Sequence, residues 1–366
     1  GYNRIVDAIR TAGKFWSDHG TDDTSDPPAN DPGVGGVGTS TPRYRGREQA
    51  LGAKKFVADL EAEGMLHGAL VLAEHPRARV LKINPEAAMA TTGVERVFTA
   101  QDIPGICNHG LIVQDWPLMV AEGAITRYTG DVLAVVVADT QHRARMAAAA
   151  VAVDYEVLEP VCSPETALAP GAPAVHEGGN LLEVCAFARG DVEAALAESA
   201  HTVEETFTTQ CIEHAFLEPE ACLAAPKNGR LKVWSQGQGV HDDQRQIAAI
   251  LGIQNERIEV ELVSNGGAFG GKEDLSVQGH TALVAWLLQR PVKTVLTREQ
   301  SIRIHPKRHP LTLHYSAGCD GGGRLTAIRA DITGDTGAYA SVGAKVLERA
   351  AGHSCGPYRV PNVDVV

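Results

Sequence analysis

The hydrophobic pattern of residues 132–158 predicts a strand, a helix and a second strand. Residues 132–137 are apolar without interruption, which is typical of a strand that is buried on both faces. The alanine-rich residues 141–151 predict a helix, and residues 153–158 alternate between apolar and polar side chains, as a second strand does. This unit lies inside a compact α/β domain that we predict to span residues 46–165.

The chain beyond this domain predicts a second mixed α/β region, residues 166–366. Residues 258–262 alternate between apolar and charged side chains, which indicates a half-buried strand. Residues 311–317 and 324–332 flank the sequence Asp-Gly-Gly-Gly, which predicts the turn of a β-hairpin. Further strands are predicted at residues 202–209, 231–234, 292–296 and 360–366.

The helices of the second region carry recognisable end signals. Thr297 and Gln300 have the spacing of a capping box at the start of a short helix. Asp243 and Gln246 have the same spacing, and they predict the start of another helix. The longer helices are predicted at residues 191–200, 244–251 and 275–289.

The first residues predict a helix followed by a linker. Apolar side chains recur at helical spacing from Tyr2 to Phe15. Residues 20–42 are dominated by Pro, Gly, Asp and Ser, which cannot bury enough apolar surface to order a segment. We therefore predict a linker over residues 20–45. Because the sequence opens with Gly rather than Met, we expect residues 1–19 to end a domain that begins outside this chain.

Composition and charge narrow the class of protein. The chain has 366 residues, of which 44% are hydrophobic and 21% charged, and this excludes a wholly disordered chain. The formal net charge of −12 argues against nucleic acid as the main partner. No run of 18 apolar residues occurs, so we expect no membrane-spanning helix. Seven cysteines without a C-x-x-C pair or a secretory signal predict free thiols in a reducing cytoplasm.

The most distinctive chemical feature is the glycine loop, which we define as residues 264–273, Ser-Asn-Gly-Gly-Ala-Phe-Gly-Gly-Lys-Glu. It joins a predicted strand to a predicted helix, and its backbone amides can converge on an anion beside the positive end of that helix. Its spacing matches neither the Walker loop nor the dinucleotide-binding glycine pattern. The alternative is a tight turn without function, in which Phe269 is exposed to solvent.

Two side chains of the glycine loop have more than one interpretation. Phe269, a large aromatic residue between paired glycines, is either a packing plug or one wall of a pocket for a planar ligand. Glu273 places a carboxylate where a ring N–H can be bound, or it is a solvated acid or one that favours the start of the following helix.

Other clusters of polar residues predict structural roles. His214, Glu218 and Glu220 imitate a metal site, but the intervening proline breaks the helix that such a pair of ligands needs. His305 and His309 stand next to prolines, which predicts a loop rather than a ligand pair. Neither a G-x-S-x-G elbow nor a Ser-His-Asp order is visible.

The sequence of the glycine loop resembles that of the xanthine dehydrogenase and aldehyde oxidase family, the molybdenum hydroxylases. The resemblance extends over most of the chain. Further similar segments are Tyr-Thr-Gly-Asp at 128–131, Glu-His-Ala-Phe-Leu-Glu-Pro-Glu at 213–220, Ser-Gln-Gly-Gln-Gly-Val at 235–240 and Gly-Asp-Thr-Gly-Ala-Tyr at 334–339. The opening residues 1–9 resemble the helix that follows the last cysteines of the family's second 2Fe–2S cluster.

The resemblance implies a hammerhead-type α/β domain at residues 46–165 and the first part of a molybdopterin-binding domain at 166–366. It implies a molybdenum ion held on a pterin dithiolene, in the cytosine dinucleotide form. By motif position the resemblance implies that Gln238 and Phe269 lie near the metal, where they contact its ligands or the cofactor through side-chain or backbone groups without binding the metal directly. It also implies that the loop from Gly267 to Gly270 faces the cofactor. Glu273 matches the glutamate that hydrogen-bonds the ring in purine-hydroxylating members, where aldehyde oxidases typically have an apolar residue.

The resemblance also implies that this chain acts within an assembly. The family's general-base Glu and its substrate-binding Arg in an Arg-Gly-Phe-Gly segment are absent from these 366 residues. We expect the remainder of the molybdopterin domain and a 2Fe–2S domain or subunit, with or without a FAD subunit, to complete the enzyme. Water would supply the oxygen for hydroxylation of a purine-like molecule such as xanthine or hypoxanthine, and electrons would leave through the iron–sulfur clusters.

Three alternatives stay open at this point. The chain is a non-catalytic molybdopterin-binding or assembly subunit, an aldehyde oxidoreductase, or an unrelated anion-binding α/β protein. One departure from many purine enzymes is Ala268, where they have glycine, and it affects the fine geometry of the loop.

Overall fold

The computed structural model describes residues 6–7, 9–11, 13–14 and 45–366, which fall into two compact units, Gly1–Lys54 and Lys55–Val366. In the first unit the described residues between 6 and 14 are helical, in agreement with the helix predicted there. The predicted linker up to residue 44 lies outside the described residues. The first unit ends with the short helix α1, Gly46–Ala50.

The second unit contains the strands and the remaining helices. Its strands are β1 Leu66–Leu72, β2 Ala78–Asn84, β3 Val94–Thr99, β4 Asn108–His109, β5 Trp116–Pro117, β6 Val132–Ala138, β7 Ala152–Val157, β8 Phe187–Arg189, β9 His201–Thr208, β10 Ala221–Lys227, β11 Arg230–Ser235, β12 Ile258–Leu262, β13 Val292–Val295, β14 Leu311–Cys319, β15 Leu325–Gly334 and β16 Asn362–Val365.

The helices of the second unit lie between these strands. They are α2 Glu86–Met89, α3 Gln141–Ala149, α4 Pro164–Leu168, α5 Val192–Ala197, α6 Val240–Leu251, α7 Gln278–Leu288, α8 Arg298–Ile304 and α9 Gly343–Gly352, with 3-10 turns at Val57–Asp59, Ala100–Asp102 and Asn255–Arg257. No helix in the described part of the chain is long and apolar enough to cross a membrane.

The largest sheet joins both halves of the sequence. Its seven strands run in the order β12-β11-β10-β13-β1-β6-β3. Strand β1 pairs in parallel with β13, Leu66 opposite Val292, and antiparallel with β6, Ala69 opposite Val136. All seven residues of β6 are buried, as their uninterrupted apolar sequence predicts. The domain division at residue 165 stays a prediction, because β1 and β13 share one sheet across it.

The strand–helix–strand unit predicted at residues 132–158 is present as β6, α3 and β7. Its second strand, however, does not join the sheet of the first. Strand β7 pairs antiparallel with β2 in a separate two-stranded ribbon, with Val80 opposite Tyr155. The alternation of side chains predicts a strand but contains no information about its partner, which lies about 70 residues earlier.

A second sheet forms from the last third of the chain. Its order is β8-β16-β15-β14-β9. The predicted hairpin is confirmed as β14 and β15 around Asp320, whose carboxylate accepts the amides of Gly322 and Arg324. The predicted C-terminal strand is β16, which pairs in parallel with β15. One face of this sheet forms a core with Ala351 of α9, and helix α5 also packs against β15.

The main core lies between the large sheet and helices α6 and α7. Helix α7 begins at Gln278, three residues after the predicted start, because the Gln278 side chain accepts the amides of Ser276 and Val277 at 2.8 and 3.0 Å. The capping box predicted for α8 is confirmed: Thr297 Oγ1 accepts the amide of Gln300, and Gln300 Oε1 accepts that of Thr297.

Candidate functional site

The glycine loop follows β12 and leads into α7, and it rests on two other segments, residues 213–220 and 235–239. Lys272 joins all three. Its side chain is only 2% exposed, and its Nζ donates to the Glu218 carbonyl at 2.9 Å and to Gln236 Oε1. The same ammonium lies 4.4 Å from the centre of the Phe216 ring. Lys272 therefore works as an interior anchor of the loop rather than as a surface charge.

Glu218 fastens the first part of the loop. Its Oε2 accepts the Gly266 amide at 2.7 Å and lies 3.7 Å from Lys272 Nζ. Burial raises the pKa of Glu218, while the Gly266 amide and Lys272 oppose that change. A methyl group at Gly266 would come within 2.7 Å of Glu218 Cβ, so the close approach of the two segments depends on glycine there.

Gln238 faces the second part of the loop. Its Oε1 accepts hydrogen bonds from the backbone amides of Gly270 at 3.0 Å and Lys272 at 3.3 Å. The backbone amide of Gln238 donates to the Lys272 carbonyl at 2.9 Å. Because the carboxamide oxygen is used in this way, the Nε2 group is left as a donor with no acceptor among the described residues. The side chain thus presents two N–H bonds to a ligand.

Three consecutive amides of the loop, those of Gly267, Ala268 and Phe269, donate to no group in the described part of the chain. The amide of Gly270, which we predicted to be a donor toward a cofactor, is already bound by Gln238. The backbone turns back on itself through positive φ angles of 106° at Gly267, 55° at Phe269 and 89° at Gly270. Such a bend exposes successive N–H groups on one side, which suits an anionic or oxo ligand.

Phe269 is held in an unfavourable position. Its side chain is 74% exposed, and a positive φ in a non-glycine residue costs on the order of 1–3 kcal/mol. The packing-plug interpretation is wrong within this chain, because a plug would be buried. An exposed ring agrees with two interpretations, the wall of a pocket for a planar ligand and a tight turn that exposes Phe269 to solvent.

Glu273 is exposed between the buried residues Lys272 and Asp274. Its carboxylate forms no hydrogen bond or ion pair with the described residues. The alternative of a helix-start acid is wrong, because α7 begins at Gln278, five residues later. The alternative of a solvated acid stays open, because the side chain is exposed. The carboxylate is therefore free to accept a hydrogen bond from a ligand at the loop.

The residues that imitated a metal site have other partners. Among the described residues no group of three or more His, Cys, Asp or Glu side chains is placed to hold a metal ion. Glu220 Oε1 lies 3.1 Å from His305 Nδ1, and Glu213 Oε1 lies 2.6 Å from His305 Nε2. Sequence reasoning missed this buried contact, because nothing local links a histidine to carboxylates about 90 residues earlier. His309 instead contacts the Thr336 hydroxyl at 3.1 Å.

Asp243 supports the turn that carries Gln238, and the capping role predicted for it is wrong. The cap position of α6 is Gly239, and Asp243 is 1% exposed inside the first turn. Its Oδ2 accepts the Ser235 hydroxyl at 2.7 Å. Burial raises the pKa of Asp243 to about 7, while the hydrogen bond from Ser235 opposes the rise.

We expect the Asp243 carboxyl to make stability depend on pH. Its folded pKa lies above its unfolded value of 3.8, so the folded state holds the extra proton and stability falls as pH rises from about 4 to about 7. The loss is on the order of 2–4 kcal/mol. Asp243→Asn keeps an oxygen for Ser235 and should lack this pH dependence in chemical unfolding at pH 4 to 8.

Asp154→Asn, at an exposed position of β7, is the control and should follow the wild-type curve. Parallel curves for the wild type and Asp243→Asn would contradict the assignment of a raised pKa to Asp243.

Comparison with known proteins places the chain in a family. The family described as "Molybdopterin cofactor-binding domain" matches residues 175–366, and the one described as "Aldehyde oxidase and xanthine dehydrogenase, a/b hammerhead domain" matches residues 51–159. The chain belongs to the molybdenum hydroxylases. The α/β fold with a hammerhead domain and part of a molybdopterin-binding domain, which the resemblance predicted, is confirmed.

Two curated relatives cover most of this chain. The nicotinate dehydrogenase large molybdopterin subunit of Eubacterium barkeri is 39% identical over 319 residues, covering 87% of this chain and 75% of the relative. A probable xanthine dehydrogenase subunit of Bacillus subtilis strain 168 is 37% identical over 322 residues, covering 88% of this chain but 43% of the relative. The chain thus spans three quarters of one relative and under half of the other.

Solved structures of the family have the same fold. The aldehyde oxidoreductase of Desulfovibrio gigas superposes with a TM-score of 0.85 at 27% identity, covering 88% of this chain and 37% of that one. The quinoline 2-oxidoreductase of Pseudomonas putida 86 superposes with a TM-score of 0.80 at 27% identity, covering 91% and 43%.

Proposed function

We propose that this chain is the part of a molybdenum hydroxylase that binds molybdopterin and that the enzyme hydroxylates a purine or a related N-heterocycle. The observation that carries the proposal is the free, exposed carboxylate of Glu273 at the end of the glycine loop, which also contains three consecutive unused amide donors. The names of two relatives support an N-heterocyclic substrate, since nicotinate and quinoline both contain a ring nitrogen.

The residues of the loop suit the cofactor that the proposal requires. The loop offers hydrogen-bond donors, namely the amides of Gly267, Ala268 and Phe269 and the Nε2 group of Gln238. The oxo and sulfido ligands of molybdenum accept hydrogen bonds from such donors. Nothing of the described chain lies within 4 Å of the Cβ position of Gly270, so that face of the loop is open. When bound, the molybdenum centre would take two electrons from the substrate carbon while water supplies the oxygen.

The chain's own groups would then divide the remaining work. Gln238, oriented by its two bonds from the loop, would donate to an oxo ligand and so stabilise negative charge there. The Phe269 ring would form one wall against a planar substrate and keep water from it. Glu273 would accept a hydrogen bond from a ring N–H of the substrate. It would thereby favour the ring tautomer that takes up negative charge when oxygen attacks the ring carbon.

The proposal includes partners that this chain does not contain. The general-base Glu and the substrate-binding Arg would come from the remainder of the molybdopterin domain, and electrons would pass to 2Fe–2S clusters, with or without FAD beyond them. We propose the cytosine dinucleotide form of molybdopterin, and the division of the chain at residues 19, 45 and 165. All seven cysteines are unpaired, which supports a reducing compartment such as the cytoplasm.

Steady-state kinetics of the assembled enzyme test the substrate class. Glu273→Ala should lower kcat/KM for xanthine or hypoxanthine by about 2–4 kcal/mol of transition-state binding, roughly 30- to 1,000-fold, because a charged hydrogen bond is lost. Turnover of benzaldehyde should change by less than about threefold, because benzaldehyde has no N–H that Glu273 could bind. Glu256→Ala, at an exposed position of the turn before β12, is the matched control.

Three results would decide against the proposal. Unchanged purine turnover in Glu273→Ala, or a wild-type preference for benzaldehyde, would favour the aldehyde oxidoreductase alternative, to which the Desulfovibrio gigas structure is similar. An assembly that contains no molybdenum by elemental analysis would favour the non-catalytic binding or assembly subunit.

A further inference from the structure

The residue that follows Glu273 in the sequence has a buried carboxylate. Asp274 is 5% exposed, and its Oδ1 accepts a hydrogen bond from the hydroxyl of Ser341. No other hydrogen bond to the Asp274 side chain occurs within the described part of the chain. The Asp274 side chain therefore ties the backbone just after Glu273 to a residue that is 67 positions away, while Lys272 and Gln238 hold the backbone just before Glu273.

Ser341 adopts a backbone conformation that disfavours any side chain. Its φ is 38°, and the residue is 5% exposed. Glycine would occupy this conformation at no steric cost, whereas a non-glycine residue there is strained. Because serine occupies this strained position where glycine would be unstrained, we infer that the hydroxyl forms contacts that compensate for the strain.

The surroundings of Ser341 hold it in this conformation. The Ser341 amide donates to Asp115 Oδ1 at 3.3 Å, and the amide before it donates to Asp115 Oδ2 at 2.7 Å. The Leu111 amide donates to the Ser341 hydroxyl at 3.2 Å, and the Val113 amide donates to its carbonyl at 3.0 Å. The hydroxyl accepts from one segment and donates to Asp274, a combination that neither glycine nor alanine provides.

Three segments thus meet at one hydroxyl: residues 111–115, residues 340–341 and the end of the glycine loop. We propose that the Ser341–Asp274 pair is a positioning element that fixes the direction of Glu273 toward the substrate, and thereby contributes to the selection of N-heterocycles over aldehydes. The inference rests on the proposed function of Glu273. Neither residue touches substrate in this role; both act through the backbone that joins Asp274 to Glu273.

The test compares variants of the assembled holoenzyme. Ser341→Ala removes the hydroxyl and keeps the strained backbone, whereas Ser341→Gly removes both the hydroxyl and the strain, so it guards against a folding defect. Asp274→Asn keeps an oxygen that accepts from Ser341, and Asp274→Ala does not. Ser199→Ala is the matched control, since it removes a 2.6 Å hydroxyl contact with Thr326 in the second sheet.

Two readouts are expected to change together. Hydrogen–deuterium exchange of a peptide spanning residues 264–277 should quicken about tenfold in Ser341→Ala, Ser341→Gly and Asp274→Ala, because the backbone just after Glu273 loses the hydrogen bond between Ser341 and Asp274. KM for xanthine should rise about tenfold with kcat within about threefold, and benzaldehyde turnover should stay near the wild-type value. Asp274→Asn and Ser199→Ala should resemble the wild type in both readouts.

The outcomes separate this inference from the proposed function. Wild-type exchange and KM in Ser341→Ala and Asp274→Ala, alongside an impaired Glu273→Ala, would overturn the positioning role alone. An equal fall in turnover of both substrates would also overturn it, since the pair would then be merely structural. If Glu273→Ala itself behaves as the wild type, the proposed function fails, and the selectivity role of the pair fails with it.

Discussion

Lys272→Met is expected to abolish molybdenum binding and to destabilise the chain by about 3–5 kcal/mol, the usual cost of removing one partner of a buried charged contact. Methionine keeps an unbranched apolar side chain, but it removes the ammonium beside the Phe216 ring and leaves the Glu218 carboxylate without its cation. It also leaves the Glu218 carbonyl and Gln236 Oε1 without their donor. Burial lowers the pKa of Lys272, and the Glu218 and Glu220 carboxylates counteract this.

The consequence should reach the proposed cofactor contacts, because Lys272 also supplies an amide to Gln238. Molybdenum per chain, measured by elemental analysis of the assembled enzyme, and the free energy of unfolding are the two readouts. Lys232→Met is the matched control: this lysine lies at the surface, 3.0 Å from Glu259 and 2.7 Å from Glu261, and should cost at most about 1 kcal/mol. Full molybdenum occupancy in Lys272→Met would refute the anchoring role.

Gly105→Ala is expected to cost more than about 3 kcal/mol, and the soluble yield of the variant should fall accordingly. Gly105 lies against the end of α6, where its amide donates to the Ile250 carbonyl at 2.9 Å. A methyl group there would come within 2.1 Å of the Ala249 carbonyl oxygen and 2.6 Å of the Gly252 nitrogen. These neighbours are backbone atoms of a helix end, so they cannot turn aside as a flexible side chain does.

The same change should disturb the proposed site, because α6 begins two residues after Gln238. Gly321→Ala, in the hairpin between β14 and β15, is the control: a Cβ there meets no atom within 4 Å. Chemical unfolding of both variants checks the difference. If Gly105→Ala unfolds at the wild-type denaturant concentration, the close contact with α6 does not exist in solution.

Local sequence predicted the elements whose causes are local. The uninterrupted apolar residues of β6 predicted full burial on both faces, and the spacing of Thr297 and Gln300 predicted the cap of α8. Both depend on residues within one strand or one helical turn. Where a similar spacing failed, at Asp243, a buried contact with Ser235 eight residues earlier competed with the local cap and was formed instead.

The glycine loop was predicted from the sequence only in part. Its glycines, its position between a strand and a helix, and the order of Gln238, Phe269 and Glu273 are read from the sequence, and they were sufficient for the family resemblance that the comparisons confirmed. The positive φ angles of Gly267 and Gly270 follow from the same glycines. That the Gln238 oxygen is occupied, and its nitrogen therefore free, is visible only in the folded chain.

What the sequence determined by itself is the elements with local signals, such as β6, β12, α8 and the turn between β14 and β15, and the identity of the chemical groups in the loop. These features depend on neighbours within a few residues. Only the tertiary structure decided which strands pair, as for β1 with β13 and β7 with β2. It also decided which charges are buried together, as for Lys272 with Glu218. These contacts join residues 54 to more than 200 positions apart, and their free energy comes from burial and hydrogen bonds that exist only once the chain has folded.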